Sequence, residues 1–242
     1  RAMVQNLNNN NLEINTDKYN EDFNTALNIY ENSYSHDYLI ELLKNGSVVE
    51  KQVATLKIDK INNEEEAEIF INNLTGCDGK IREAVSFRLK EFIPENPNFF
   101  KDYAHIIIDA IIDINGNICR NTIEAIKNLK QYNEFTNNFC KMLIDRANTL
   151  IEPIKSFDIQ DGKYKINKEI FKLYWYLETI SEFYEYIDIK DLIQLLNETK
   201  NIQEYTIREK TAKILSKFEN NKELSLIKEE LKNDKNYYVR RF

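Results

Sequence analysis

The sequence predicts an all-α fold, specifically an α-solenoid of five to six antiparallel helix pairs, on three observations. The 242 residues include only 5 Gly and 3 Pro, fewer than a sandwich or barrel with many tight turns requires. Apolar residues recur at the 3.6-residue spacing of a helix along most of the chain. Similar helix-opening segments also return at long intervals, which is typical of a repeat protein.

The repeat is clearest at the residue that opens the second helix of each pair. A β-branched residue precedes an amphipathic stretch at five positions, which are 32, 37, 89 and 32 residues apart: Val49, Ile81, Ile118, Ile207 and Val239. An apolar first helix precedes each of them, and the long interval leaves room for one further pair with an inserted loop at 158–165. The chain ends three residues after Val239, so we expect the last pair to be truncated.

The predicted domain organisation follows from this repeat. Residues 1–19 are predicted to form a disordered tail, because the polar run at 6–11 offers nothing to bury. Residues 20–242 are predicted to form the solenoid.

These helix pairs resemble HEAT repeats, in which an Asp precedes the Val or Ile that opens the second helix and an Arg follows it. The sequence contains Asp113 before Ile118 and Asp234 before Val239, and a shortened version has Asp78 before Ile81. The resemblance covers residues 35–242. It implies an armadillo-like solenoid and says little about activity, because such folds serve many functions.

The Asp and Arg residues predict a structural ladder between neighbouring repeats. An Asp in the turn can accept hydrogen bonds from free N–H groups of the next helix and can pair with an Arg of the adjacent repeat. The predicted members of this ladder are Asp78, Arg82, Asp113, Arg120, Arg208, Asp234 and Arg240. A row of phosphate-binding arginines is the alternative interpretation of the same pattern.

The concave face of the predicted solenoid is the candidate partner-binding groove. The only Trp lies in the aromatic stretch at 171–186, where a single core stripe would leave it exposed as an anchor for a partner. Burial of these aromatic side chains against the insertion is the alternative. The groove candidates are Phe87, Lys90, Arg120, Ile123, Lys127, Trp175, Tyr176 and Lys213.

Residues for catalysis and for metal or cofactor binding are scarce in this sequence. The two histidines, His36 and His105, lie in or beside predicted helices, and no zinc-protease, hydrolase or phosphate-loop motif is present. Cys119 and Cys140 fall near apolar helix faces and are expected to fill the core. We therefore expect no catalytic site, no metal site and no cofactor.

Composition and charge limit the partners. The formal charge of -7 opposes binding to a phosphate backbone, so the sequence disfavours nucleic acid. The sequence has no run of apolar residues long enough to span a membrane. Three cysteines without CxxC spacing indicate a reducing compartment, for which we expect the cytoplasm.

Two functions remain after these exclusions. The first is a non-enzymatic scaffold that binds a protein partner on the concave face of the solenoid. The second is a DNA-binding or DNA-repair protein of the alkylation-repair glycosylase kind, since those glycosylases also use HEAT-like helix pairs. What that family implies, a basic groove with several tryptophans around an Asp, fits poorly with one Trp and a net negative charge.

Overall fold

The computed structural model describes the backbone of residues 16–156 and 163–242, and the side chains of residues 17–156 and 167–242. Within these ranges every regular element is a helix, and no strand occurs. The all-α prediction is therefore confirmed. No helix of the described ranges has both the length and the apolar character that crossing a membrane requires.

The chain divides into two compact units, one up to Asp59 and one from Lys60 to Phe242. The described residues of the first unit form three helices: α1 (Thr16–Glu31), α2 (His36–Asn45) and α3 (Val48–Lys57). Those of the second unit form ten: α4 (Glu64–Ile71), α5 (Gly79–Glu95), α6 (Ala104–Ala110), α7 (Gly116–Ile126), α8 (Asn133–Lys155), α9 (Lys163–Phe183), α10 (Ile189–Thr199), α11 (Tyr205–Leu215), α12 (Lys222–Lys232) and α13 (Tyr237–Arg240). Three short 3-10 helices accompany them: Pro97–Phe100, Lys127–Leu129 and Tyr184–Tyr186.

Two sequence predictions fall partly outside the described residues. Residues 1–15 of the predicted tail lie there, whereas residues 16–19 belong to α1. Residues 158–162 of the predicted loop lie outside the residues that the structure describes. The rest of the predicted loop belongs to α9, whose backbone is helical from Lys163.

In the first unit, α3 packs against both α1 and α2. The Lys57 ammonium at the end of α3 donates hydrogen bonds to the main-chain carbonyls of Ile29, Tyr30 and Asn32, where α1 ends. A cation at this position satisfies carbonyls that lack partners within the helix and complements the helix dipole. Lys57 therefore fastens the end of α1 to α3.

The second unit contains two rows of helices. In one row α6, α8, α10 and α12 contact one another in chain order, and in the other α5 contacts α7 while α9, α11 and α13 contact one another in succession. Contacts of Arg120 with Trp175 and of Lys127 with Glu182 connect α7 to α9. After α5, each second-row helix follows a first-row helix in sequence and packs against it, so the two rows bury their apolar faces against each other.

Four of the five β-branched openers lie in equivalent positions, whereas Val49 is the second residue of α3 and is half-buried. Ile81, Ile118, Ile207 and Val239 are each the third residue of their helix, and all four are buried. The position of this residue therefore fixes which face of each second-row helix enters the core.

A repeated Asp-x-Asn turn starts two of these helices. The Asp113 carboxylate accepts a hydrogen bond of 2.9 Å from the backbone N–H of Asn115, and Asn115 in turn accepts one of 2.9 Å from the N–H of Asn117 at the start of α7. Asp234 and Asn236 repeat both bonds at the start of α13. Two N–H groups that lack partners within the helix are satisfied in this way at each start.

The same aspartates bind arginines of the preceding second-row helix. The Arg82 guanidinium donates to both carboxylate oxygens of Asp113, at 2.7 and 3.2 Å, and Arg208 binds Asp234 in the same way at 2.7 and 3.1 Å. Arg208 also donates to the carbonyl of Ile202 in its own turn, at 2.9 Å. Each arginine thus connects the start of its own helix to the next turn, and we call these two connections the Arg–Asp ladder.

The other predicted members of the ladder have different contacts. Asp78 caps α5 by accepting from the N–H of Lys80 at 2.8 Å, and the Arg240 guanidinium donates to the carbonyl of Asp234 at 2.7 Å. Arg120 lies outside the ladder, which corrects the sequence prediction. Cys119 stands directly after the opener Ile118, and its thiol donates to the carbonyl of Asp113 at 3.1 Å.

We predict that the ladder stabilises the fold through its buried ion pairs. In Arg208→Gln the Asp234 carboxylate, whose side chain is only 10% exposed, would lose its cation, so the free energy of unfolding should fall by about 3 kcal/mol or more. Lys155→Gln is the matched control, because Lys155 and Glu198 are 37% and 43% exposed and their ion pair should contribute less than about 1 kcal/mol. Urea unfolding of both variants measures the difference. Equal losses in the two would contradict a structural role for the ladder.

We also predict a pH dependence from the same pair. The hydrogen bond from Arg208 lowers the pKa of Asp234 in the folded protein. The lowered pKa therefore contributes to the free energy of unfolding. This contribution is fully present above the ordinary pKa of Asp, about 3.9, and is lost as the pH falls through the lower pKa of the folded protein. Urea unfolding from pH 7 to pH 3 should show a steeper acid loss for wild type than for Asp234→Asn. Parallel curves would refute this assignment.

Candidate functional site

A groove lies beside the N-terminal half of α9, next to the starts of α7 and α11. Its cavity volume is about 460 Å³. Residues of all three helices and of the turn before α11 line it: Arg120, Asn167, Ile170, Phe171, Tyr174, Trp175, Glu204 and Thr206. We call this feature the α9 groove. It combines aromatic surface with charges of both signs.

Arg120 and Trp175 form one side of the groove. The Arg120 guanidinium lies 5.5 Å from the centre of the Trp175 ring and donates to the side-chain oxygen of Asn117 at 3.2 Å. The edge of the Trp175 ring approaches the backbone of Gly116, the first residue of α7, where an added Cβ would lie 3.6 Å from it. The indole is therefore held between the start of α7 and the body of α9.

Trp175 is only 5% exposed, so the sequence-based expectation of an exposed aromatic anchor is wrong. That expectation assumed a single buried stripe on α9. The helix instead packs against α8 on one side and α11 on the other, and it also meets α7, so several of its faces are covered. The Phe171 and Tyr174 rings pack edge-on against Trp175, with ring centres at 6.2 and 5.2 Å.

Two further aromatic or aliphatic candidates are also buried. Tyr176 lies against α8, and burial raises the pKa of its hydroxyl although a hydrogen bond with Arg146 opposes the change. Ile123 is buried in α7. Neither side chain is available to a partner in this structure.

The lysine candidates Lys127 and Lys213 form ion pairs within the protein. Lys127 lies 2.8 Å from Glu124 and 3.8 Å from Glu182 of α9, and Lys213 lies 2.8 Å from Glu178 of α9. These pairs extend across the second-row helices. They reduce the positive charge that the two lysines can offer to a partner.

Glu178 lies at the centre of the ion pairs between α9 and α11. Burial alone would raise the pKa of its carboxyl group, but hydrogen bonds from Lys210 and Lys213 outweigh that effect and lower the pKa. The carboxylate therefore stays ionised at neutral pH, which suits a structural ion pair.

Phe87 and Lys90 lie on α5 and do not line the α9 groove. Phe87 is exposed, and the Lys90 ammonium lies 4.5 Å from the centre of its ring. The two residues form a separate exposed contact on the second-row face. Of the eight groove candidates, the structure thus brings only Arg120 and Trp175 together in the α9 groove.

Sequence reasoning missed several residues of the groove, in particular Phe171, Tyr174, Glu204 and Thr206. Glu204 and Thr206 precede the opener Ile207 by three residues and one, so they occupy the turn where the other repeats carry their capping residues. The signal that could have found the groove is the Asp-x-Asn pattern. In the turn before α11, Ile202 stands where this pattern places its Asp. The turn therefore lacks the carboxylate that a connection of the Arg–Asp ladder needs.

Chemical groups elsewhere in the described residues are buried or isolated. Burial raises the pKa of the Cys119 and Cys140 thiols to about 12, so both stay protonated and inert at neutral pH, in line with the expectation that they fill the core. No three His, Cys, Asp or Glu side chains of the described ranges form a group that could hold a metal ion.

The chain matches no known protein-family model and no curated protein.

We predict that Trp175 acts mainly as a core residue. In the free protein its fluorescence should be blue-shifted and poorly quenched by acrylamide, because the ring is shielded from solvent. Trp175→Ala should lower the free energy of unfolding by about 3 to 5 kcal/mol, whereas Phe87→Ala, at an exposed position, should cost less than about 1 kcal/mol. Strong quenching, together with an unchanged urea midpoint for Trp175→Ala, would show that the ring is exposed in solution.

Proposed function

We propose that this protein is a non-enzymatic scaffold that binds a protein partner, and that the α9 groove is part of its binding surface. The observation that carries the proposal is the composition of the groove: aromatic rings, an arginine without a carboxylate partner among the described residues, and a carboxylate lie together. Aromatic residues and Arg are enriched where proteins bind one another.

We further propose that the helices form HEAT-like repeats of an α-solenoid. The proposed pairs are α2 with α3, α4 with α5, α6 with α7, α8 with α9, α10 with α11, and α12 with α13. The two rows of contacts in the second unit, the equivalent buried openers and the Arg–Asp ladder support this assignment. Such a framework would present the groove on rigid helices, which lowers the entropic cost of binding.

The protein is proposed to act in the cytoplasm. The support is chemical: an odd number of cysteines without CxxC spacing and two thiols whose burial keeps them unreactive suit a reducing compartment.

Site-specific photo-crosslinking tests the scaffold proposal. p-Benzoyl-L-phenylalanine in place of Tyr174, a groove residue, should give a discrete protein adduct in the native cells. The same group in place of Leu226, an exposed position on α12, is the matched control and should not give that adduct. Arg120→Ala should reduce the Tyr174 adduct. Identical adducts from both positions, or none from the groove, would contradict the proposal.

DNA binding is the alternative, and the pairing of Lys127 and Lys213 with carboxylates argues against it, because paired lysines contact phosphates poorly. A mobility-shift assay with duplex DNA between 50 and 200 mM salt separates the two functions. Tight binding that falls steeply with salt is the behaviour of a phosphate-binding surface and would favour the alternative.

A further inference from the structure

The α9 groove lies where the Arg–Asp ladder is interrupted. In the ladder an arginine directly follows the opener, but in α7 this position holds Cys119, and Arg120 comes one residue later. One residue turns a helical side chain by about 100°, so Arg120 points away from the ladder position and lies over Trp175 instead. Its guanidinium has five N–H donors, and its one hydrogen bond to a described side chain goes to Asn117.

A second donor on this side lacks an acceptor. The Trp175 indole Nε1 is buried and forms no hydrogen bond with any described residue. An indole nitrogen can only donate, and buried donors in native proteins generally have partners. The Trp175 N–H therefore has no acceptor among the described residues, and its NMR signal reports on a ligand that binds beside Arg120.

The α11 side of the groove offers an acceptor. The Glu204 carboxylate accepts from the hydroxyl of Thr206 at 3.1 Å, which leaves most of its acceptor capacity unused by the described residues. Glu204 stands at the N-cap of α11 but forms no side-chain capping bond there. The rings of Phe171 and Tyr174 line the same groove and provide apolar surface.

This arrangement is complementary to a peptide. Each peptide unit carries one N–H donor and one carbonyl acceptor, and in an extended chain successive side chains alternate in direction. We infer that the α9 groove binds an extended, uncharged segment of the partner protein. A backbone carbonyl of the segment accepts from Arg120, a neighbouring N–H donates to Glu204, and an apolar side chain packs on Phe171 and Tyr174.

Glu204 distinguishes this ligand from a free anion. A phosphate or carboxylate bound by Arg120 would be repelled by the Glu204 carboxylate, whereas a peptide N–H would be bound by it. Removing Glu204 should therefore weaken peptide binding and strengthen anion binding. The inference rests on the scaffold function proposed above and adds the chemical nature of the bound segment.

The test uses random 12-residue peptides displayed on phage and selected on the full-length chain. Enriched peptides are synthesised, and their affinities are measured by fluorescence anisotropy. At saturation they should shift the indole N–H signal of the only Trp in a ¹⁵N NMR spectrum. Arg120→Ala and Glu204→Ala should each weaken binding about tenfold, the effect of losing a hydrogen bond to a charged group.

The matched controls are Lys80→Ala and Glu65→Ala, which remove exposed charges on α5 and α4 outside the groove and should leave the affinity unchanged. Inorganic phosphate is titrated in parallel. A phosphate shift of the indole signal that grows in Glu204→Ala, without peptide binding, would show an anion site and overturn the inference. Failure to enrich any peptide, or peptides that bind both groove variants as wild type, would also overturn it.

The two proposals fail in distinguishable ways. If a partner crosslinks at position 174 but binds Glu204→Ala as tightly as wild type, the scaffold function stands and the peptide assignment is wrong. If peptides bind with the expected losses but no partner crosslinks at the groove in cells, the scaffold function is the part that fails.

Discussion

The bidentate bond between an arginine at one helix start and an aspartate in the following turn is the interaction on which the second unit depends. A cation in the first turn of a helix opposes the helix dipole, so Arg82 and Arg208 are unfavourable where they stand unless an anion compensates them. Asp113 and Asp234 supply that anion and at the same time satisfy an N–H group of the next turn. One carboxylate thus sets both the distance between neighbouring second-row helices and the direction in which the next helix begins.

The groove is a consequence of the same constraint. Between α7 and α11 the ladder has no rung in the described residues: the position after Ile118 holds Cys119, and the Asp position before Ile207 holds Ile202. Arg120, turned away from the ladder, lies over Trp175, and Glu204 is left at a helix start without a capping bond. Two ion pairs of the ladder are therefore missing here. In their place the cation of Arg120 and the carboxylate of Glu204 lie near the surface beside aromatic rings.

The sequence was sufficient to predict the helices of the recurring pairs and four buried openers, because both depend on local periodicity and on a motif that recurs. It could not predict the environment of Trp175, since a stripe calculated for one helix ignores the other helices that cover its remaining faces. The first helix, α1, was missed because it falls outside the recurring pairs, and its end is fixed by Lys57 from a different helix. At the first opener, Val49, the next residue is Glu50 and not the Arg of the repeat pattern, and in the structure Glu50 completes a capping box with Ser47 at the start of α3.

The distribution of ion pairs explains why net charge is a poor guide to what this protein binds. Along the second row, lysines and arginines pair with glutamates of the adjacent helix, as Lys213 does with Glu178 and Arg241 with Glu209. These pairs neutralise charge locally whatever the total of the chain. In the groove, by contrast, Arg120 and Glu204 are not paired with each other, so a cation and an anion line the same cavity. Opposed charges cancel in the field that a distant molecule experiences, yet at contact each still imposes a direction on the hydrogen bond that it forms. If the α9 groove binds a partner as proposed, recognition would depend on where the donors and acceptors of the ligand point, and an overall acidic protein could carry such a site without attracting or repelling its partner at long range.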